Sequence, residues 1–229
     1  MLHIRKKMKN DENEPVFIEF AGPSGVGKTT TVKKIVKNED EPVITNTRGY
    51  SFLEKIISIP GLIIFSLIHF DLLKELYKQA PDTKSFIKNY RYVIRFLYKS
   101  KKYYKQAKKK EIKKIYLCEN FTHILNGLTI SEKIKNPEKT IKILNEKFYS
   151  KYNTILVYKE LPTEEIVKQR KERKRKKTDD KKKEILEKQV EEYKERTNNI
   201  SKKIETDIKL KTNSKNPKEI KEKINKLID

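Results

Sequence analysis

Short apolar runs alternate along the chain with longer stretches of helical periodicity. The β-like runs lie at 16–20, 42–47, 112–118, 152–158 and 203–210. Apolar residues at steps of three, four or seven predict helices over 85–107, 184–200 and 217–228. Strands that alternate with helices predict a parallel sheet covered on both faces. We therefore expect one α/β domain over residues 1–229, with a five-stranded parallel sheet as the middle of three layers.

A glycine-rich loop separates the first β-like run from helical spacing at Val32, Ile35 and Val36. The loop matches the pattern G-x-x-x-x-G-K-[ST], and its glycines allow successive backbone N–H groups to point at one anion. A strand before the motif and a helix after it make a chance match unconvincing. We predict nucleotide-binding roles for Gly22, Pro23, Ser24, Gly25, Val26, Gly27, Lys28, Thr29 and Thr30.

The chemistry of this loop fits a nucleoside triphosphate. Lys28 is predicted to lie along the β- and γ-phosphates, and the Thr29 hydroxyl is predicted to bind Mg²⁺ that bridges them. This motif does not specify a reaction, because kinases, GTPases, motor ATPases and transporters share it.

The chain is strongly basic, with 55 Lys and Arg against 32 Asp and Glu and a net charge of +23. Such a charge suggests a polyanionic partner. However, Lys, Asn and Ile are abundant throughout the chain, as in proteomes of AT-rich genomes, so we predict only non-specific binding to nucleic acid. The single cysteine, Cys118, fits a reducing compartment, and we expect a cytoplasmic protein.

Residues 56–70 form the only long apolar run, which includes Pro60, Gly61 and His69. This run is shorter than the about 20 residues that span a bilayer, so we predict a buried helix and no transmembrane segment. Weak attachment to a membrane surface is the alternative. Residues 1–14 have no signal-peptide core and are predicted to be a flexible lead-in.

Polar residues follow the predicted strands where ligands of open α/β sheets gather. Arg48 follows the second strand, and Glu119 follows the third. After the fourth strand, a helix start leads into a basic cluster with Arg170, Arg173 and Arg175. Each group lies where a phosphate-transfer site would need it.

The order of these motifs resembles the thymidylate kinase branch of P-loop nucleotide kinases. The matching segments are FIEFAGPSGVGKTT, TNTRGY, IYLCENF and ILVYKELPTEEIVKQRKER, followed by a last strand and a C-terminal helix. The resemblance covers nearly the whole chain in element order. It implies transfer of the γ-phosphate of ATP to a nucleoside monophosphate or a related small acceptor, and a mobile helical lid at about 160–183.

The resemblance also implies roles for individual residues. Arg48 matches the arginine that meets the acceptor's phosphate, although Gly49 and Tyr50 replace the family's Glu-Pro. Glu119 and Asn120 stand where the family has Asp-Arg, so the acid is kept and the arginine is lost. The acceptor is therefore open, including whether it carries a phosphate.

Arg170 and Arg173 match lid arginines by the same resemblance, and the alternative is a solvated basic helix. Glu119 could hold Mg²⁺ through water or accept a proton from an acceptor hydroxyl, and its alternative role is a turn acid or helix cap. Arg91 and Arg95 lie one helical turn apart, either facing the acceptor or on the surface.

Two other functions are compatible with parts of the sequence. A P-loop ATPase or GTPase switch lacks support, because the sequence has no Asn-Lys-x-Asp guanine motif and no evident second hydrolytic motif. A polynucleotide kinase is favoured only by the charge and by 100–110, where tyrosines interrupt lysines. Such a stretch is more often an amphipathic helix with snorkelling lysines. A homodimer is left open.

Overall fold

The computed structural model describes residues 3–4, 14–46, 59–118, 121–130, 133–173 and 182–228. Its strands are β1 His3–Ile4, β2 Val16–Ala21, β3 Ile44–Thr45, β4 Lys114–Leu117, β5 Thr154–Lys159 and β6 Ile208–Thr212. Its α-helices are α1 Lys28–Lys37, α2 Ile59–Ile68, α3 Phe70–Gln79, α4 Thr83–Lys109, α5 Phe121–Ile130, α6 Pro137–Leu144, α7 Thr163–Arg173, α8 Lys183–Lys203 and α9 Pro217–Ile228. A π-helical turn, Asn145–Tyr149, follows α6.

These strands form one sheet in the order β1-β6-β5-β2-β4-β3. The five strands from β6 to β3 are parallel, which confirms the predicted parallel sheet. The sequence did not predict β1, which pairs antiparallel with β6 through His3 and Ile4 instead of belonging to a flexible lead-in. This pairing satisfies backbone groups that β6 would otherwise leave unpaired at an edge.

The central strand β2 is buried at all six positions and separates two apolar layers. Phe17 points into a core formed with α2 to α6 and the end of α8. Ile18 and Phe20 point to the opposite side, where α1 and α9 cover the sheet. Helices therefore cover both faces, and the three-layer prediction is confirmed.

Most predicted elements are present, with shifted boundaries. The last strand begins at Ile208 and not at 203, because α8 continues to Lys203. The long predicted helix 85–107 lies within α4, and the C-terminal helix matches α9.

The apolar segment 56–70 is helical from Ile59, and Pro60 lies in the first turn of α2, where proline is tolerated. The prediction that this helix is buried is wrong for its outer face. The side chains of Ile63, Ile64 and Leu67 are each more than half exposed. Within the described ranges, no helix combines the length and apolarity needed to cross a membrane.

Candidate active site

The loop between β2 and α1 has the backbone geometry of an anion-binding turn. Gly22, Gly25 and Gly27 have φ values of 135°, 99° and 81°, which side-chain-bearing residues rarely adopt. A Cβ atom on Gly22 would lie 2.3 Å from the carbonyl oxygen of Lys159, and one on Gly25 would lie 2.6 Å from Cγ of Arg170. The glycines therefore let the loop fit closely between the end of β5 and α7.

Lys28 begins α1 and reaches back across the loop. Its Nζ donates hydrogen bonds to the carbonyl oxygens of Gly22 (2.7 Å) and Pro23 (3.0 Å). Burial lowers the pKa of Lys28 to about 8, and the positive charges of Arg173 and Lys159 contribute to this shift. Binding of an anionic ligand would raise the pKa of Lys28 again, because negative charge beside Lys28 stabilises its ammonium form.

An open cleft of about 610 Å³ lies above the loop. It is lined by Ser24, Gly25, Gly27, Lys28, Thr29, Thr30, Cys118, His123, Gln169 and Arg173. The predicted loop residues Gly22, Pro23 and Val26 are buried behind this lining. The described lining therefore combines two cations with hydroxyl groups and no carboxylate, which suits a polyphosphate.

The two predicted lid arginines differ in their surroundings. Arg173 lines the cleft. Arg170 is only 8% exposed, and its aliphatic stem lies against the turn at Gly25. The alternative of a fully solvated basic helix is therefore wrong for Arg170. Arg175 lies outside the described residues.

Lys159, the last residue of β5, is a further cation beside the loop that was not predicted from the sequence. Its Nζ donates a 2.7 Å hydrogen bond to the Thr31 hydroxyl of α1, and the side chain is buried. Burial lowers the pKa of Lys159. The carboxyl-end rule that singled out Arg48 and Glu119 could have found this residue too, because Lys159 also ends a central strand.

His123 is a cleft residue that the sequence patterns did not indicate. His123 lies on α5 and lines the cleft. Its Nδ1 shares a 2.7 Å hydrogen bond with the hydroxyl of Tyr193 on α8. Desolvation by the surrounding protein and the charge of Lys28 lower the pKa of His123 below its usual value, although the residue is exposed to the cleft, and this favours the neutral imidazole. No sequence spacing connects α5 to α8, so only the fold reveals this pair.

Arg48 and Glu119, predicted to meet the acceptor, lie outside the described residues. Their neighbours are held together. The Asn46 side-chain oxygen accepts a 2.7 Å hydrogen bond from the backbone N–H of Cys118. This bond joins the ends of β3 and β4, so the chain leaves both strands at one place, beside the cleft that Cys118 lines.

Arg91 and Arg95 lie on α4, where Arg91 is exposed and Arg95 is half-buried. Neither residue lines the cleft above the loop. Their predicted contact with the acceptor stays a prediction.

The residues present fit Mg²⁺ bound together with a nucleotide. No cluster of three or more His, Cys, Asp or Glu side chains suited to a metal occurs in the described part of the chain. Such a cluster is not required, because Mg²⁺ in phosphate-transfer sites uses one or two protein ligands plus phosphate oxygens and waters. Thr29 in the first turn of α1 is exposed in the cleft and can supply one oxygen.

Comparisons with known proteins add little to this geometry. No family model and no curated protein matches the chain. Among solved structures, the chain is similar to deoxyadenosine kinase from M. mycoides with bound dCTP, at 15% identity and a TM-score of 0.46. The match covers 92% of this chain and 98% of that one. Similarity at this level decides neither the family nor the substrate.

Proposed function

We propose that this protein is an ATP-dependent phosphotransferase that moves the γ-phosphate of ATP to a nucleoside monophosphate or a related small acceptor. The observation that carries the proposal is the cleft above the loop. There, Lys28, Arg173 and the first turn of α1 meet at the carboxyl end of the central strand. Positive groups and precise positioning supply most of the catalysis of phosphoryl transfer.

In this proposal, the backbone N–H groups of the loop and Lys28 hold the triphosphate. Mg²⁺, held by Thr29 and Glu119, would offset negative charge on the phosphates when bound. Arg173 faces the charge that develops on the transferred group. Arg170 sets the position of the loop through its packing on Gly25. Lys159 supports the first turn of α1 through Thr31.

The acceptor is proposed to enter where β3 and β4 end. Arg48 would bind an acceptor phosphate, and Glu119 would accept a proton from the attacking hydroxyl or hold Mg²⁺ through water. The Asn46 hydrogen bond to Cys118 supports this assignment, because it brings together the chain segments that continue into both residues. These roles of Arg48 and Glu119 come from the resemblance of the sequence to thymidylate kinases, and they are part of the proposal.

The test is an ADP-release assay with ATP, Mg²⁺ and a panel of acceptors: nucleoside monophosphates, nucleosides, sugars and oligonucleotides. We expect acceptor-dependent ADP release with one of the nucleotide-like compounds. ADP release that needs no acceptor would instead indicate an ATPase. Release that needs oligonucleotides would indicate a polynucleotide kinase, and either result would contradict the proposal.

Arg48 and Arg173, which this proposal assigns to the acceptor and to the transferred phosphoryl group, should give different kinetic defects. Arg48→Ala should raise the acceptor KM by about 10-fold or more, because a charge-assisted phosphate contact contributes roughly 1.5 to 3 kcal/mol. Arg173→Ala should lower kcat by roughly 10- to 100-fold with a smaller effect on acceptor KM, because its charge acts on the transition state. Steady-state kinetics with each substrate varied in turn measure both effects.

Arg196→Ala is the matched control, because the Arg196 side chain is only partly buried on α8, does not line the cleft and pairs with Glu192 at a long 3.7 Å. It should behave like the wild type. If Arg48→Ala abolished ATP binding, or if Arg173→Ala turned over at the wild-type rate, the assigned sides of the cleft would be wrong. Normal acceptor kinetics in Arg48→Ala would indicate an acceptor without a phosphate.

A further inference from the structure

An exposed apolar surface lies far from the chemistry of the loop in sequence, on α2 and the start of α3. We call this surface the apolar face, and it comprises Ile63, Ile64, Leu67, Ile68 and Phe70. These side chains are 53%, 59%, 68%, 66% and 60% exposed, respectively. Their spacing places the four α2 residues on one side of the helix. A contiguous exposed group of this kind marks a docking surface for another molecule.

The opposite side of α2 is held firmly on α4. The Phe65 ring packs edge-on against Tyr98, with ring centroids 5.7 Å apart. The Ser66 and Tyr90 hydroxyls share a 3.0 Å hydrogen bond. A Cβ atom on Gly61 would lie 2.3 Å from the Tyr98 hydroxyl, so the helices touch there. Turning the apolar face inward would break these contacts, so the face is an outer surface of the fold.

Lysines gather at the end of α2 beside the apolar face. The Nζ of Lys101 on α4 lies 5.6 Å from the centroid of the Phe65 ring, on the side of α2 that packs against α4. Lys147 pairs with Asp71 at 2.7 Å. Burial lowers the pKa of His69, which stands between Ile68 and Phe70, and the nearby charges of Lys147, Lys101 and Lys151 lower it further, whereas the charge of Asp71 opposes them. The border of the face at this end is therefore cationic.

We infer that the apolar face docks on the surface of an anionic phospholipid bilayer. The apolar side chains would enter the boundary between headgroups and acyl chains, and the neighbouring lysines would meet lipid phosphates. A second copy of the chain fits less well, because two cationic borders on chains of net charge +23 would face each other. This inference does not depend on the proposed phosphotransferase activity.

The test is co-sedimentation of the full chain with vesicles of phosphatidylcholine alone or with added phosphatidylglycerol, over a range of salt concentrations. We expect binding to the anionic vesicles. The variant Ile64→Ser/Leu67→Ser should bind them roughly 10-fold more weakly or worse, because it removes two apolar side chains from the inserted surface. Ile185→Ser, at an isoleucine 47% exposed on α8, is the matched control and should bind like the wild type.

The salt series distinguishes insertion of the apolar face from non-specific electrostatic binding. This control is needed because a chain of charge +23 also binds anionic vesicles through scattered lysines, and salt screens that binding. Equal binding of wild type and Ile64→Ser/Leu67→Ser at every salt concentration would overturn the inference, as would no binding of the wild type. Analytical ultracentrifugation tests whether the apolar face binds a second copy of the chain instead. A wild-type dimer that this variant dissociates, with vesicle binding unchanged, would assign the face to self-association.

A second variant keeps the test independent of the apolar substitutions. Lys101→Gln/Lys151→Gln leaves the apolar face intact and removes two charges from its border. It should reduce the preference for anionic over neutral vesicles, and an unchanged preference would contradict the role of the lysines. Circular dichroism and thermal unfolding confirm that each variant is folded, which the exposure of the substituted apolar side chains favours.

Discussion

Replacing Lys28 by alanine is expected to lower turnover by at least about 100-fold and to weaken ATP binding, with the fold intact. Lys28 is the cation held over the loop, where it donates to the carbonyl oxygens of Gly22 and Pro23. Desolvation lowers the pKa of Lys28, and the positive charges of Arg173 and Lys159 add to this effect, although the side chain is only partly buried and lines the cleft. Removing this charge relieves repulsion in the ligand-free protein, which offsets the loss of the two hydrogen bonds to the loop, so the fold should stay intact.

Titration calorimetry with ATP and the ADP-release assay measure the two effects of Lys28→Ala. Lys33→Ala is the matched control, because Lys33 is exposed on the same helix and does not line the cleft. It should bind ATP and turn over like the wild type. Wild-type ATP affinity and turnover in Lys28→Ala, with a normal unfolding curve, would remove the central argument for the nucleotide site.

Glu19→Gln is expected to change the pH dependence of stability by several kcal/mol. Glu19 is fully buried in β2, where its Oε2 accepts a 2.8 Å hydrogen bond from the Tyr149 hydroxyl. In the described residues, its Oε1 has no hydrogen-bond partner. Burial raises the pKa of this carboxyl from 4.5 to about 8, so the folded protein keeps it protonated at neutral pH.

The sign of the effect follows from proton binding. Between pH 4.5 and about 8, the unfolded chain has released this proton and the folded chain retains it. The contribution of Glu19 to the free energy of unfolding is therefore complete at low pH and falls by about 1.4 kcal/mol per pH unit through this window. Glutamine is neutral throughout, so Glu19→Gln should resemble the wild type near pH 5 and be more stable near about pH 9.

Urea unfolding of both proteins at the two pH values measures this difference. Glu184→Gln on the exposed side of α8 is the control and should follow the wild-type pH dependence. Comparing the curves cancels the contributions of other titrating groups, including Lys28. Parallel pH profiles for wild type and Glu19→Gln would mean that Glu19 is not held protonated in the fold.

The nucleotide loop could be predicted because every feature of it is local. The strand residues, the glycine positions and the lysine follow one another within residues 16–30. Backbone angles and the first turn of α1 depend on these neighbours, so the motif predicted the geometry at Gly22, Gly25 and Gly27. The alternation of strands and helices is equally local, and it predicted the parallel sheet.

The cations behind and beside the loop could be predicted only in part. Arg173 lies in the cleft, as its place near the end of β5 suggested. The burial of Arg170 against Gly25 and the bond from Lys159 to Thr31 depend on how β5 and α7 pack on the loop. The local sequence places Arg170 in a basic cluster and Lys159 at the end of a strand, but it does not show that either side chain is buried against the loop or α1.

Taken by itself, the sequence determined the strand-loop-helix motif, the class of fold and the chemistry of the phosphate-binding loop, because these depend on residues close together in the chain. Tertiary structure decided the pairing of His123 with Tyr193, the burial of Glu19 beside Tyr149 and the exposure of one face of α2. Each of these depends on contacts between elements distant in sequence, or on which side of a helix its neighbours cover. Hydrophobic spacing predicts that a helix has an apolar side, but a helix that is apolar all round, like α2, leaves the choice of buried face to packing.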